Sequence, residues 1–308
     1  MNIDDAALAL EPKIANIADA WIFSHLAQLV RESTYALESY RFGDYARIMY
    51  EFFWSEFCDW YIEFCKGALN GKTDEAALQT QANLLFVLET AIRLLHPVMP
   101  FVTEAIWDNL PNSAENAALM IQPWPLAERY EHFIDENAEK SISLVCDIVT
   151  IMRTTRAKYG ISPAQELGVK LKLPKADELA LQDGSNSDEQ NPNDLKEIIE
   201  NQSMLITKLG KISAFDFLDV DATKPDNCIC DLAQGIEVYV EVGDFVNMDE
   251  LRAKVQKDLD KARSEIAKLD KKLNNENFLQ HADEAAIEKV KQSHAELTHE
   301  IQILEMQL

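Results

Sequence analysis

Glycine is scarce in this chain. Only 9 occur in 308 residues, and none stands in a G-x-G-x-x-G run. A phosphate cradle needs closely spaced glycines between a strand and a helix, so that device is excluded. No βαβ series is present that could hold ATP. Positive charge is also short. There are 29 Lys and Arg against 53 Asp and Glu, a net charge of −24. Binding phosphates requires local Lys and Arg, so any surface that does so must reverse the sign of the whole. The cysteines number 5, an odd count, and none shows the paired spacing of a zinc site. No metal is expected, and a reducing cytoplasm fits. No Ser/His/Asp or Cys/His arrangement stands out, so no catalytic residue is assigned. The N-terminus carries no charged-then-apolar leader. No apolar run reaches the roughly 20 residues of a membrane span. The expectation is a cytoplasmic protein with room for about two or three compact units.

What is abundant is helical periodicity. In residues 44–66 the polar side chains Asp44, Arg47, Glu51, Ser55, Asp59, Glu63 and Lys66 step by three or four. That spacing lines them on one narrow stripe. The rest is mostly apolar, including Phe52, Trp54, Phe57, Trp60 and Tyr61. A helix apolar around most of its girth is expected to be wrapped by other helices. Gly43 and Asp44 supply a break and an N-cap. Cys58 and Cys65 on this helix read as buried free thiols.

Residues 1–17 read as a linker or short helical start. An amphipathic helix covers 18–40, with Trp21, Leu26, Leu29, Val30 and Leu37 inward. A third helix, capped by Thr73, runs to about Leu95 and ends at His96, Pro97 and Pro100. His96 reads as a capping or packing residue, with no second ligand near it. A short helix then holds Phe101, Ile106 and Trp107. Residues 131–159 form another helix, with Ile142, Val145, Ile148, Val149 and Met152 inward. Its end carries Arg153, Arg156 and Lys158, the first basic cluster of the chain. Compensation of the helix dipole is one reading of that cluster. A phosphate-facing role is the other.

After residue 165 the pattern changes. Val169 to Leu173 alternates as a strand. Residues 175–194 read as a disordered or mobile loop. A helix over 195–209 and strands over 212–220 and 228–242 follow, the last folded into a hairpin at Gln234 and Gly235. Cys228 and Cys230, either side of Ile229, are expected on one sheet face. Residues 246–308 read as an antiparallel coiled-coil hairpin joined by a polar connection over 274–283. One seam is Leu251, Val255, Leu259, Ala262, Ile266, Leu269 and Leu273. The other is Ile287, Val290, His294, Leu297, Ile301, Leu304 and Leu308, with His294 marking the register. Within 252–272, Arg252, Lys254, Lys257, Lys261, Arg263, Lys268, Lys271 and Lys272 outnumber Asp258, Asp260, Glu265 and Asp270. This is either a solvated face or a stripe that follows a phosphate backbone.

Several motifs, in order, carry a family resemblance. RFGDYARIMYEFFWSEFCDWYIEFCK resembles the core helix of the anticodon-binding domain of valyl-tRNA synthetases. LLHPVMPFVTEAIW (94–107) matches a further signature of that family and its isoleucyl and leucyl relatives, and MIQPWP (120–125) and MRTTRAKYGISPAQEL (152–167) resemble the family too. KLDKKLNNENFLQHADEAAIEKV (268–290) resembles the hairpin of the C-terminal coiled coil of valyl enzymes, where the isoleucyl and leucyl relatives end differently. The resemblance covers roughly residues 18–308.

It implies a mainly α fold: a linker (1–17), a helical bundle of the class I anticodon-binding type (18–165), a small α/β subdomain (166–245) and a coiled-coil arm (246–308). It implies a tRNA-binding C-terminal portion of a valine–tRNA ligase, with tRNA(Val) and the catalytic and editing domains of the same enzyme as partners. The HIGH-like and KMSKS-like motifs of the catalytic domain are absent here. No cofactor is therefore expected in this chain, and ATP and Mg belong to the missing catalytic domain. The residues expected to touch RNA are Arg41, Arg153, Arg156 and Lys158 on the bundle, and Arg252, Lys254, Lys257, Lys261, Arg263 and Lys268 on the arm. Base-reading residues stay unassigned, because the family's helix upstream of the bundle has no match. Two rivals remain. One is a helical scaffold that docks protein, favoured by the acidic charge. The other is the equivalent region of an isoleucyl or leucyl enzyme.

Overall fold

The computed structural model describes residues 5–70, 74–111, 118–175, 192–275 and 283–308. The chain divides into two compact units, Met1–Ser143 and Leu144–Leu308.

The first unit is a helical bundle. A short helix, α1 (Asp5–Leu8), precedes α2 (Ile17–Glu38). Asn16 caps α2, its side chain accepting from the amides of Ala18 and Asp19. The expected linker is pinned rather than loose, because Asn83 accepts from the Lys13 amide (3.0 Å) and donates to the Lys13 carbonyl (2.8 Å). The most wrapped helices are α2 and α5 (Glu75–Leu95). Ile22, Phe23, Leu26 and Val30 of α2, and Val87, Ile92 and Leu94 of α5, are fully buried. Each such side chain contributes roughly 1.5–3 kcal/mol by leaving water. The α5 cap is Asp74, which accepts from the Ala77 amide at 2.9 Å. Thr73, expected in that role, lies outside the described residues.

The apolar-rich stretch over 44–66 departs from expectation in two ways. The helix begins before Gly43, as α3 (Phe42–Tyr50), so Asp44 sits in its first turn and Arg41 holds the cap position. Between α3 and α4 (Ile62–Leu69) the backbone is wound as a π-helix, Glu51–Tyr61, and the Ile62 amide reaches back five residues to the Phe57 carbonyl. Wider turns change which side chains share a face. The buried positions Phe52, Phe57, Tyr61 and Cys65 step by five and then by fours. A 3.6-residue reading therefore misplaces the other face. Trp54 and Cys58, expected inside, are exposed.

The inner face is tied to α2 by polar contacts as well. Tyr61 Oη donates to Oδ1 of the buried Asp19 at 2.7 Å. Burial raises the Asp19 carboxyl above its ordinary value despite these bonds. The short helix α6 (Pro100–Trp107) buries Trp107 against Ile92 and Leu119. His96 Nδ1 bonds Thr103 Oγ1 at 2.7 Å, a packing role.

Helix α7 (Glu136–Tyr159) runs in sequence from the first unit into the second. Residues 131–133, expected in this helix, form a separate 3₁₀ turn. Ile142, Val145, Ile148, Val149 and Met152 are all fully buried. The second unit holds a four-stranded sheet of order β2-β1-β4-β3. The strands are β1 (Leu167–Lys172), β2 (Ile212–Leu218), β3 (Cys228–Ala233) and β4 (Ile236–Glu241). β1 and β2 are parallel and the other pairings antiparallel.

A parallel pair needs a crossover. It contains α8 (Pro192–Asn201) and α9 (Ser203–Gly210), two helices where one was expected. Residues 192–194 of the expected loop open α8, with Pro192 at its start where no amide is missed. Residues 176–191 lie outside the described residues. Gln234 and Gly235 both take positive φ (49 and 83) between β3 and β4, the geometry a two-residue hairpin turn requires.

The arm is α10 (Met248–Leu273) and α11 (Glu284–Gln307). Residues 276–282 of the expected connection lie outside the described residues. Asn247 caps α10, accepting from the Asp249 and Glu250 amides. Leu251, Val255, Leu259 and Ala262 are buried, while Ile266, Leu269 and Leu273 are half-buried. At its end α11 docks on β3. Gln307 Nε2 donates to the Cys230 carbonyl at 2.9 Å, and Met306 packs against Cys228, Cys230 and Tyr239. Lys224 Nζ donates to the Gln307 carbonyl. Leu308, expected in the seam, is exposed, and Gln307 takes the inward position.

Candidate nucleic-acid interface

The arm carries most of the basic side chains proposed from sequence. Lys254, Lys257, Lys261 and Lys268 step by three, four and seven, and Lys272 follows four later. These spacings keep all five on one side of a straight helix. The seam residues occupy the opposite side, so the lysines form an exposed outward line. From Lys254 to Lys272 it runs roughly 27 Å along α10 at 1.5 Å per residue. Lys272, part of the basic stripe over 252–272 but not among the residues expected to touch RNA, belongs to the line. Its signal was present, four residues beyond Lys268.

The two arginines of α10 lie elsewhere. Arg263 Nη2 reaches across to Glu305 Oε1 of α11 at 2.6 Å. Arg252 sits at the root of the arm, near enough to Lys224 to help lower its pKa, although burial is the larger cause. Towards the tip, Lys268 and Lys272 border a groove of about 480 Å3 together with Glu265, Glu296 and Glu300. Those carboxylates weaken the local field, so the root half of the line is the more favourable for a phosphate.

The cluster at the end of α7 splits. Arg153 and Lys158 are exposed. Arg156 is not: it is 6% exposed. Its guanidinium donates to the carbonyls of Met152 (3.3 Å), Gln165 (3.1 Å) and Lys211 (2.8 Å). The expected phosphate contact is corrected here. A side chain whose fork satisfies three carbonyls ties the helix end to the sheet and has no face left for RNA. Neither periodicity nor spacing could separate it from its neighbours, because its partners are far off in sequence.

On the first unit Arg41 is exposed at the start of α3. Its Nε lies 2.5 Å from Asp44 Oδ2, and that hydrogen bond raises its pKa further. Its guanidinium carbon is 5.9 Å from the centre of the Tyr35 ring. Among the described residues no group of three or more His, Cys, Asp and Glu could hold a metal ion. Nor is any helix among them long and apolar enough to cross a membrane.

The described residues thus include a helical bundle and, in the other unit, a two-helix arm with an exposed lysine line, and comparison with known proteins gives the class. Residues 19–171 match the family model of the anticodon-binding domain of tRNA ligase. Residues 247–308 match the model of the valyl tRNA synthetase tRNA binding arm. The class is thus the tRNA-binding part of a tRNA ligase. The chain belongs to the valyl-tRNA synthetase family, and corresponds to a C-terminal portion of it.

It is 35% identical over 292 residues to the valine–tRNA ligase of Treponema denticola, covering 93% of this chain and 30% of that protein. The identity is 34% over 294 residues with the enzyme of Thermotoga maritima, covering 95% and 30%. It is 35% over 298 residues with that of Coxiella burnetii, covering 94% and 30%. The chain therefore spans about 30% of the length of these relatives. The arm match falls on the feature that separates the valyl family from its isoleucyl and leucyl relatives.

Proposed function

We propose that this chain binds tRNA(Val) and orients it for a catalytic part that lies outside it. The bundle engages the anticodon stem-loop, whose unstacked bases offer edges and faces for readout. The arm lies along the backbone of the tRNA elbow through the lysine line of α10. Valine activation, ATP and Mg belong to that other part, and the whole works in the cytoplasm. The catalytic and editing parts are proposed to contact exposed apolar side chains of the bundle, Val98, Met99, Phe101, Val102, Met120 and Ile121. The observation that carries the reading is the lysine line, a local reversal of sign in an acidic chain.

A salt titration of binding between the chain and tRNA(Val) tests it. Four of the five lysines on four phosphates give a slope of log K against log salt of about −3 to −3.5. Undetectable binding at low salt, or a slope near zero, would sink the electrostatic reading and favour a protein-docking scaffold.

A further inference from the structure

We propose that the outer part of the arm docks side by side on the arm of a second copy of this chain, α10 of each copy lying on α11 of the other. No RNA takes part in this contact, so it stands or falls apart from the tRNA-binding reading.

The first observation is an apolar seam left half open. Two helices alone cover only one side of each other's apolar stripe. At the root, where α11 docks on β3, Leu251, Val255, Leu259, Ala262 and Leu304 are buried. Further out, Ile266 and Leu269 of α10 and Leu297 and Ile301 of α11 are only half-buried. Leu269 and Leu297 line the open groove of about 480 Å3. An open seam with coiled-coil spacing is the surface on which further helices pack.

The rims of the groove select the occupant. On α10 the rim carries Lys268 and Lys272, and on α11 it carries Glu296 and Glu300. The ion pairs that cross the arm use other residues, Arg263 with Glu305 at 2.6 Å and His294 with Asp270 at 2.9 Å. Those two pairs set the register of the hairpin, and they place Lys268 level with the stretch between Glu296 and Glu300. A two-fold axis running along the arm, in the plane of contact, turns a second copy so that its α11 faces this α10 at the same level. Each basic rim then meets an acidic rim, twice over. Adjacent helices in the resulting set of four all run antiparallel, as in an up-down bundle. An axis across the arm would instead put lysines on lysines, which like charge opposes. The acidic rim disfavours a phosphate backbone at this place, whereas a second copy matches both rims at once.

The contact is small. From Glu265 to Lys272 the groove runs roughly 11 Å at 1.5 Å per residue. Glu265 also lines it and falls level with Glu300, a like-charge contact that limits affinity. An interface below about 1,200 Å2 gives a transient dimer, with an expected Kd of about 10–100 μM. The net charge of −24 opposes any meeting of two copies at low salt. At about 0.15 M salt that repulsion is screened beyond roughly 8 Å, while rim contacts at ion-pair distance persist.

Sedimentation equilibrium of the full chain at that salt, without RNA, over about 1–500 μM tests the contact. The weight-average mass is expected to climb from 34.9 kDa towards twice that value. Lys268→Glu with Lys272→Glu, and separately Glu296→Lys with Glu300→Lys, are each expected to weaken association at least about tenfold. The second pair lowers the net negative charge, so a loss there comes from the rims and not from overall repulsion. Mixing the two variants makes the rims complementary again and is expected to restore the dimer. Leu269→Ala with Leu297→Ala, its arm still helical by circular dichroism, is expected to weaken association as well. A chain that stays at 34.9 kDa throughout overturns the proposal. So does a dimer that survives both charge reversals, or a mixture of the two variants that stays monomeric.

Discussion

The arm and the outer face of the bundle expose different chemistry. Both are single helical faces left without a protein cover among the described residues. On α10 the face is a line of lysines, long-range in effect and screened by salt. On the helix over 42–69 it is a row of rings, short-range and indifferent to salt. A chain of net charge −24 has little positive charge to distribute. That charge is gathered on α10 in a line of five lysines, whereas the large exposed side chains of the helix over 42–69 are aromatic.

The comparison can be broken from several sides. The largest effect is expected at Arg156, which belongs to neither surface. Arg156→Ala strips donors from three carbonyls and opens space under the sheet, so urea unfolding of the second unit should report a loss of about 2–4 kcal/mol. A loss below about 0.5 kcal/mol would return Arg156 to the list of RNA contacts. On the arm, changing Lys254, Lys257 and Lys261 together to Gln should flatten the salt slope for tRNA by about 2–3 while leaving stability nearly unchanged. The same change made at Arg252 and Arg263 should alter the slope less, and equal slopes for the two sets would show that position along α10 does not matter.

Removing the buried Gln307 side chain contact with Gln307→Ala should cost about 1–2 kcal/mol at the root of the arm, read by hydrogen exchange at β3. Tyr40 closes α2 with a left-handed φ of 57. Tyr40→Gly relieves that strain and should raise stability by about 1 kcal/mol in a thermal melt. A destabilised glycine variant would show that the ring packs rather than projects.

The smallest effect concerns Asp19. Its folded-state pKa is raised by burial, so its contribution to stability is full below the unfolded value near 3.8 and is lost as pH rises through the higher folded value. Asp19→Asn cannot titrate. The stability of this variant relative to the unaltered chain should therefore improve as pH rises from about 3.5 to 7. A difference that stays flat with pH would mean the carboxylate is ionised without penalty.

Periodicity made much of this molecule legible before any coordinates. The inward row Ile142, Val145, Ile148, Val149 and Met152 follows directly from 3.6-residue spacing. The buried seam from Leu251 to Ala262 follows from alternating threes and fours, and the β3–β4 turn from Gln234-Gly235. The lysine line was legible for the same reason, since residues on one helix share a face whatever surrounds them. The family followed from motif order.

What the tertiary structure decided involves partners distant in the chain. The π winding over 51–61 turned Trp54 and Cys58 outward, because wide turns shift the phase that sequence spacing assumes. Arg156 was drawn from an apparently basic cluster by the carbonyls of Gln165 and Lys211. Gln307 displaced Leu308 from the inward position because β3 offered it a carbonyl. In each case local pattern fixes what a segment prefers, while burial and hydrogen-bond satisfaction against remote backbone choose which side chains remain available to a partner.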